Sequence, residues 1–367
     1  MNSTTPSARL SRAALLVIPV AASLALAACS TAATGQDPGA PSGPTEAPSA
    51  SSSHGVNPLT GINGAIGPVL AVKVANTTDA RPQSGLPTAD QVWVTEIEGG
   101  HLRFVAVYSS DYPVKIGPVR SARETDLQLV PQFGLPGFTY AGADTPVQDA
   151  VNVAAKDGFL VDLGKDATVD GSAIRPSSFS TDPQRKVPYN FYANGPALAG
   201  FATKAGVKPP VTGGFAFGAP AAGATPCTKL AATWSKTATG GAHWDAGSNS
   251  WVISFDGADL IDRESGKPIT TTDVVLLRMK DVASTIDRSV YAVPVMQSYG
   301  PDGGDAIVMR GGTCTAGHWS RPTLTSPTTL TTANGKPLTL APGRSWVFTV
   351  GIGPSLNDKT ERTATTS

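Results

Sequence analysis

Apolar and small or polar residues alternate from Val69 to Val74 and again from Gln91 to Ile97, and Leu102 to Ser109 is an apolar run interrupted by Arg103 near its start. A period of two sends successive side chains to opposite faces, so these stretches predict strands, the last two joined as a hairpin through Glu98-Gly99-Gly100. The segment TTDARPQSGLPTAD between the first two predicts a long loop. Val114 to Val119 predicts a fourth extended piece leading into a helix over Glu124 to Phe133, where Leu127, Val130 and Phe133 recur at helical spacing. Phe138 to Ala143 predicts a short strand, and Val147 to Ala155 a helix with Val147 and Val151 on one side. This order predicts a mixed sheet covered by helices for a first domain over residues 57–196.

Residues 197–226 are rich in Gly, Ala and Pro and predict a linker. Beyond it, Leu230–Trp234, Trp251–Phe255, Val274–Met279, Ala292–Gln297, Asp305–Arg310, Gly317–Arg321 and Trp346–Val350 predict short strands, with SGKP and NGKP as turns. A mostly β second domain is expected over 227–354, then a flexible tail over 355–367, which makes the whole chain α+β. Trp234, Trp244, Trp251, Trp319 and Trp346 serve either as core or as a stacking platform for sugar rings.

The N-terminal pattern is of another kind. Arg9 and Arg12 precede the apolar run Ala13 to Ala28, which is short for a membrane span and of the right size for a secretory signal core. Leu26-Ala27-Ala28-Cys29 resembles the bacterial lipobox. That resemblance implies a signal peptide over 1–28, a diacylglycerol-bearing Cys29, and anchoring by lipid to the outer face of the cytoplasmic membrane. Residues 29–56 are dominated by Ser, Ala, Gly, Pro and Thr, too poor in large apolar side chains to build a core, and predict a disordered tether.

Charge narrows the partners. Lys+Arg 28 balances Asp+Glu 28, so no global field draws in nucleic acid, and any basic site has to be local. With Cys29 lipidated, Cys227 and Cys314 are the remaining thiols of an exported chain and are expected to form a disulfide. No metal site is expected, because these cysteines lack CxxC spacing and His243 and His318 stand beside Trp244 and Trp319 rather than other ligands.

The sharpest chemistry lies in Lys115 to Gln128, KIGPVRSARETDLQ, where a Gly-Pro turn delivers Arg120, Ser121 and Arg123 to the predicted helix start. Free backbone N–H groups and two guanidinium forks there would seat an anion. The same arginines could instead pair with Glu96, Glu98 or Asp126 and hold the fold. Ser121 has no GxSxG elbow around it and reads as a turn residue rather than a nucleophile. The irregular stretch from Asp157 to Tyr192 is expected to border the site.

Several of these segments resemble the YerB-type bacterial lipoprotein family: PLTG at Pro58–Gly61, ARPQSGLPTAD at Ala80–Asp90, EGGHLRF at Glu98–Phe104, IGPVRSAR at Ile116–Arg123 and RKVPYNFY at Arg185–Tyr192. The resemblance implies an envelope lipoprotein with a two-part body, and adds Arg185, Tyr189 and Asn190 to the candidate ligand contacts. Where that family typically carries Pro-His-Asn, this chain has Pro188-Tyr189-Asn190, so no imidazole titrates there. A looser similarity of element order to LytR-CpsA-Psr transferases implies Asn76, Arg81, Asp90, Arg103, Arg120 and Arg123 as contacts for a polyprenyl pyrophosphate-linked glycan. A divalent ion such as magnesium is expected only under that alternative. The resulting expectation is a lipid-anchored protein binding an anionic, phosphate-containing envelope ligand at an arginine-lined cleft, with the transferase as its alternative.

Overall fold

Strand β1 (Leu70–Asn76) is buried along its whole length. Its alternation divides its side chains between two cores, Leu70, Val72 and Val74 in one and Ala71 in the other, so the sheet is covered on both faces. The computed structural model describes residues 50 and 52–367; the expected signal peptide, lipidation at Cys29 and most of the tether lie outside the described residues. β2 (Gln91–Glu96) and β3 (Leu102–Tyr108) form the expected antiparallel hairpin, and β3 pairs antiparallel with β1. β4 (Gly137–Thr139) joins β1 in parallel.

Helix α1 (Glu124–Leu129) continues into a 3-10 turn over Val130–Phe133, and α2 (Thr145–Lys156) buries Val147 and Val151 against the sheet. Val114–Val119 departs from the expectation of a strand. It makes only isolated bridges, Ile116 to Ala193, Gly117 to Ser84 and Val119 to Val74, because Pro118 has no N–H with which to carry a ladder past Gly117. The expected linker also holds more structure than its composition suggests. α3 (Gly195–Lys204) is capped where the Asn194 side chain accepts from Ala197 N at 3.1 Å, and it buries Leu198, Phe201 and Ala202.

In the C-terminal half, β5 (Lys229–Ser235), β6 (Ala238–Asp245) and β7 (Ser250–Phe255) pair antiparallel. β8 (Asp273–Met279), β9 (Gly300–Arg310), β10 (Thr313–Arg321) and β11 (Ser345–Gly351) extend the first sheet instead. β11 runs parallel to β8 on one side and to β2 on the other, with Ser345 opposite Gln91 and Phe348 opposite Val94. One 11-stranded sheet therefore contains strands from both ends of the chain. The mixed sheet, few helices and β-rich C-terminal half make the fold α+β, as expected.

Both ends of the body differ from expectation. Ser53–Val56, within the expected tether, pairs with Asn63–Ile66. Thr363–Thr366, within the expected tail, is strand β12 on the edge of β5; its run of threonines is β-branched, which suits a half-exposed edge but gives no apolar period to read. The tryptophan alternatives resolve to core: Trp234, Trp251, Trp319 and Trp346 are at most 2% exposed, and Trp244 packs on Trp251 at 5.5 Å between ring centroids. Cys227 and Cys314 form the expected disulfide, with their Cα atoms 5.3 Å apart.

Candidate functional site

The backbone around the arginines is held by two strands at once. Arg120 N donates to Lys73 O on β1 at 2.9 Å, and Arg120 O accepts from Ala141 N just beyond β4 at 3.0 Å. The helix start that follows carries a carboxylate of its own. Asp126 accepts the Arg123 N–H at 2.8 Å and pairs with buried Lys73 at 2.5 Å, so a carboxylate of the chain already occupies the first turn of a six-residue helix. One of the N–H donors expected to seat an anion there is therefore used by the chain itself, and the arginine side chains distinguish the candidates further.

Arg123 and Arg103 are used internally. Arg123 Nε donates to Glu98 Oε2 at 2.6 Å and its Nη2 to Glu98 Oε1, its Nη1 donates to Ala122 O at 2.8 Å, and Asp287 Oδ2 stands 3.2 Å from Nε. Arg103 donates to the same Glu98 Oε1 at 3.0 Å and to the carbonyl of Ser121 at 2.8 Å. Burial alone would raise the Glu98 carboxyl, but the Arg123 hydrogen bonds and the charges of both arginines hold it near 2. Ser121 thus serves through its backbone oxygen.

Arg120 differs from both. Among the described residues no carboxylate pairs with it; its guanidinium lies over the ring of Tyr189, 5.4 Å from the centroid. Burial shifts its pKa down; the charge of Arg123 acts in the same direction, and Tyr189 and Glu98 oppose it.

Tyr189 also walls a cavity of about 380 Å³ bordered by Asn76, Thr77, Arg81, His101 and Asp256. Asn76 Oδ1 accepts from Arg81 Nε at 2.8 Å and from Gln83 Nε2 at 3.3 Å, which fixes the amide orientation and leaves its buried Nδ2 without an acceptor. Arg81 pairs with Asp256 at 2.9 Å and lies over Phe255. Arg185 holds the loop behind this wall by donating to the carbonyls of Ala80 at 2.8 Å and Pro82 at 2.5 Å.

The structure therefore gathers Asn76, Arg81 and Tyr189 on one cavity, with Arg120 on the ring of Tyr189 and Arg185 on the Ala80 and Pro82 carbonyls. It gathers Arg103, Ser121 and Arg123 in a charge cluster around Glu98. Asn190 contributes its backbone carbonyl, accepting from Asp182 N at 2.7 Å. Asp90 stands apart. It accepts from Ser109 N at 2.6 Å and Ser110 N at 2.9 Å, past the end of β3 opposite to Arg103, roughly 20 Å away along a seven-residue strand. Desolvation raises its carboxyl to about 6 despite those bonds. Sequence reasoning missed His101, Thr237 and Asp256 as cavity residues; Asp256 lies far along the chain, and only the packing of β7 brings it to Arg81.

Residues 59–208 match the N-terminal domain, and residues 230–347 the C-terminal domain, of the family described as "Protein of unknown function (DUF3048)". The chain is 26% identical over 279 residues to the protein named "Putative lipoprotein YerB" of Bacillus subtilis (strain 168), covering 76% of this chain and 80% of that one. The crystal structure of the YerB protein from Bacillus subtilis superposes with a TM-score of 0.67 at 24% identity, covering 84% of this chain and 98% of that one.

Proposed function

The chain belongs to the DUF3048 family, and from that premise we propose an envelope lipoprotein, anchored by lipid on Cys29 at the outer face of the cytoplasmic membrane, that binds an anionic, phosphate-containing ligand through Arg120. A relative named as a lipoprotein and the Leu26-Ala27-Ala28-Cys29 sequence support the anchor. No helix of the described residues is long and apolar enough to cross a membrane. The single observation that carries the binding reading is the contrast among the arginines. Arg103 and Arg123 have carboxylate partners, whereas among the described residues Arg120 has the face of Tyr189 and no carboxylate. A half-buried guanidinium without a counter-charge gains from a ligand anion, and its planar fork suits a phosphate oxygen pair.

Replacing Cys29→Ala is expected to leave an unlipidated precursor that no longer partitions with membranes. Unchanged processing and fractionation would remove the anchor from this reading. For the ligand, calorimetric titration of the folded body with pyrophosphate is expected to show binding that weakens as salt rises. Arg120→Ala is expected to lower the affinity about 10- to 100-fold, roughly 1.4 to 3 kcal/mol. No heat of binding by the parent protein would end the proposal.

A further inference from the structure

Resting on that reading, we infer that the ligand is a hexose phosphate, with its phosphate beside Arg120 and its sugar hydroxyls in the Asn76–Arg81–Asp256 cavity. The cavity is the wrong place for the phosphate itself. Two carboxylates, Asp79 and Asp256, stand on its wall against one guanidinium, Arg81, and Arg81 is already paired with Asp256. An anion wants donors alone, whereas a hydroxyl gives one hydrogen bond and accepts others, and so needs donors and acceptors side by side.

The wall offers that alternation. Asn76 is 4% exposed and its Nδ2 donor has no acceptor. The buried Thr77 hydroxyl next to it has no partner among the described residues either. Buried polar groups left unmade are costly, so they favour a ligand that completes them. Asp256 supplies the acceptor side: Oδ1 takes the Thr239 N–H at 3.2 Å, Oδ2 faces Arg81, and the side chain keeps 35% of its surface open. Tyr189 lines this cavity and also carries the Arg120 guanidinium 5.4 Å from its ring centroid, so one side chain links the cavity to the unpaired cation. The volume of about 380 Å³ falls at the small end of small-molecule pockets, about 300 to 1,000 Å³, and suits one ring better than an extended chain.

The test is titration of the folded body with inorganic phosphate, glucose, glucose 1-phosphate and N-acetylglucosamine 1-phosphate. At least one sugar phosphate is expected to bind 10-fold or more tightly than inorganic phosphate, with free glucose weaker than either. Thr77→Val removes a hydroxyl that has no partner, so its melting temperature should stay with the parent while the sugar phosphate loses at least threefold in affinity and inorganic phosphate loses nothing. Asp256→Asn should act in the same direction. If inorganic phosphate binds as tightly as both sugar phosphates, or Thr77→Val leaves their affinity unchanged, the sugar assignment is wrong while the anion reading stands. If none of the probes binds, the sugar assignment is wrong, and the anion reading falls with it when pyrophosphate gives no heat of binding either.

Discussion

Removing the Cys227–Cys314 disulfide, by Cys227→Ala with Cys314→Ala, is expected to lower the stability of the folded body by about 4 to 5 kcal/mol. The bridge spans 87 residues of sequence, and loop-closure entropy rises with the logarithm of the loop, which places this crosslink near the upper end of its class. Both cysteines are buried, at 3% and 7% exposure, so alanine leaves no unpaired polar group behind. The link also fastens one edge of the large sheet: Cys227 N donates to Gly312 O at 3.0 Å, and Thr225 pairs with Cys314. Urea unfolding of parent and double variant measures the effect. A difference below about 1 kcal/mol would mean that the unfolded chain is already compact across these residues.

Arg362→Ala is the second large effect, expected to cost about 3 to 5 kcal/mol. Arg362 has no exposed side-chain surface; its Nη1 stands 3.3 Å from Glu96 on β2 and 3.0 Å from Asp281, and its Nη2 donates to Asp281 at 3.1 Å and Pro354 O at 2.9 Å. Truncation leaves two buried carboxyl groups, Glu96 and Asp281, without their shared partner and unfastens the segment leading into β12. Burial outweighs the attraction of Arg362 and raises the Glu96 carboxyl to about 8. A carboxyl raised on folding holds its proton longer in the native state than in the unfolded one, so stability falls as pH rises from the unfolded value of about 4.3 to the folded one. Without Arg362 that fall should continue beyond pH 8, so the gap between variant and parent widens in alkali. Thermal melts across pH, with hydrogen exchange at Thr363–Thr366, read both effects. A variant within 1 kcal/mol of the parent at every pH would show that the buried charges need no partner.

What could be read in advance was what is local. The alternation of Val69–Val74 and Leu102–Ser109 specified strands because their neighbours in the sheet lie nearby in sequence. α3 escaped because Gly195–Lys204 is small and apolar all round, without a clean helical stripe, and its cap, Asn194, sits in a stretch that composition marks as linker. The joining of β11 to β2 was not legible, since 250-odd residues separate the pair and parallel pairing leaves no hairpin signal. At the site, the Lys115–Gln128 stretch was visible as an arginine cluster, but which guanidinium lacked a counter-charge was not. Glu98, Asp126 and Asp287 are interchangeable carboxylates in a sequence, and only the fold assigns Glu98 and Asp287 to Arg123, Asp126 to Lys73, and none to Arg120. Asp90 illustrates the reverse error: its place in a motif suggested the site, and its hydrogen bonds put it at the other end of β3.

The central claim is that Arg120 and Arg123, three positions apart, divide the work between binding and folding. Arg120→Ala and Arg123→Ala should be compared by pyrophosphate titration and thermal melting on the same preparations. The account predicts that Arg120→Ala loses 10-fold or more in affinity while its melting temperature stays within about 2 °C of the parent. Arg123→Ala should lose melting temperature first, because Glu98 and Asp287 lose their shared partner. Arg120→Ala binding pyrophosphate as tightly as the parent, with a melting temperature as low as that of Arg123→Ala, would contradict it.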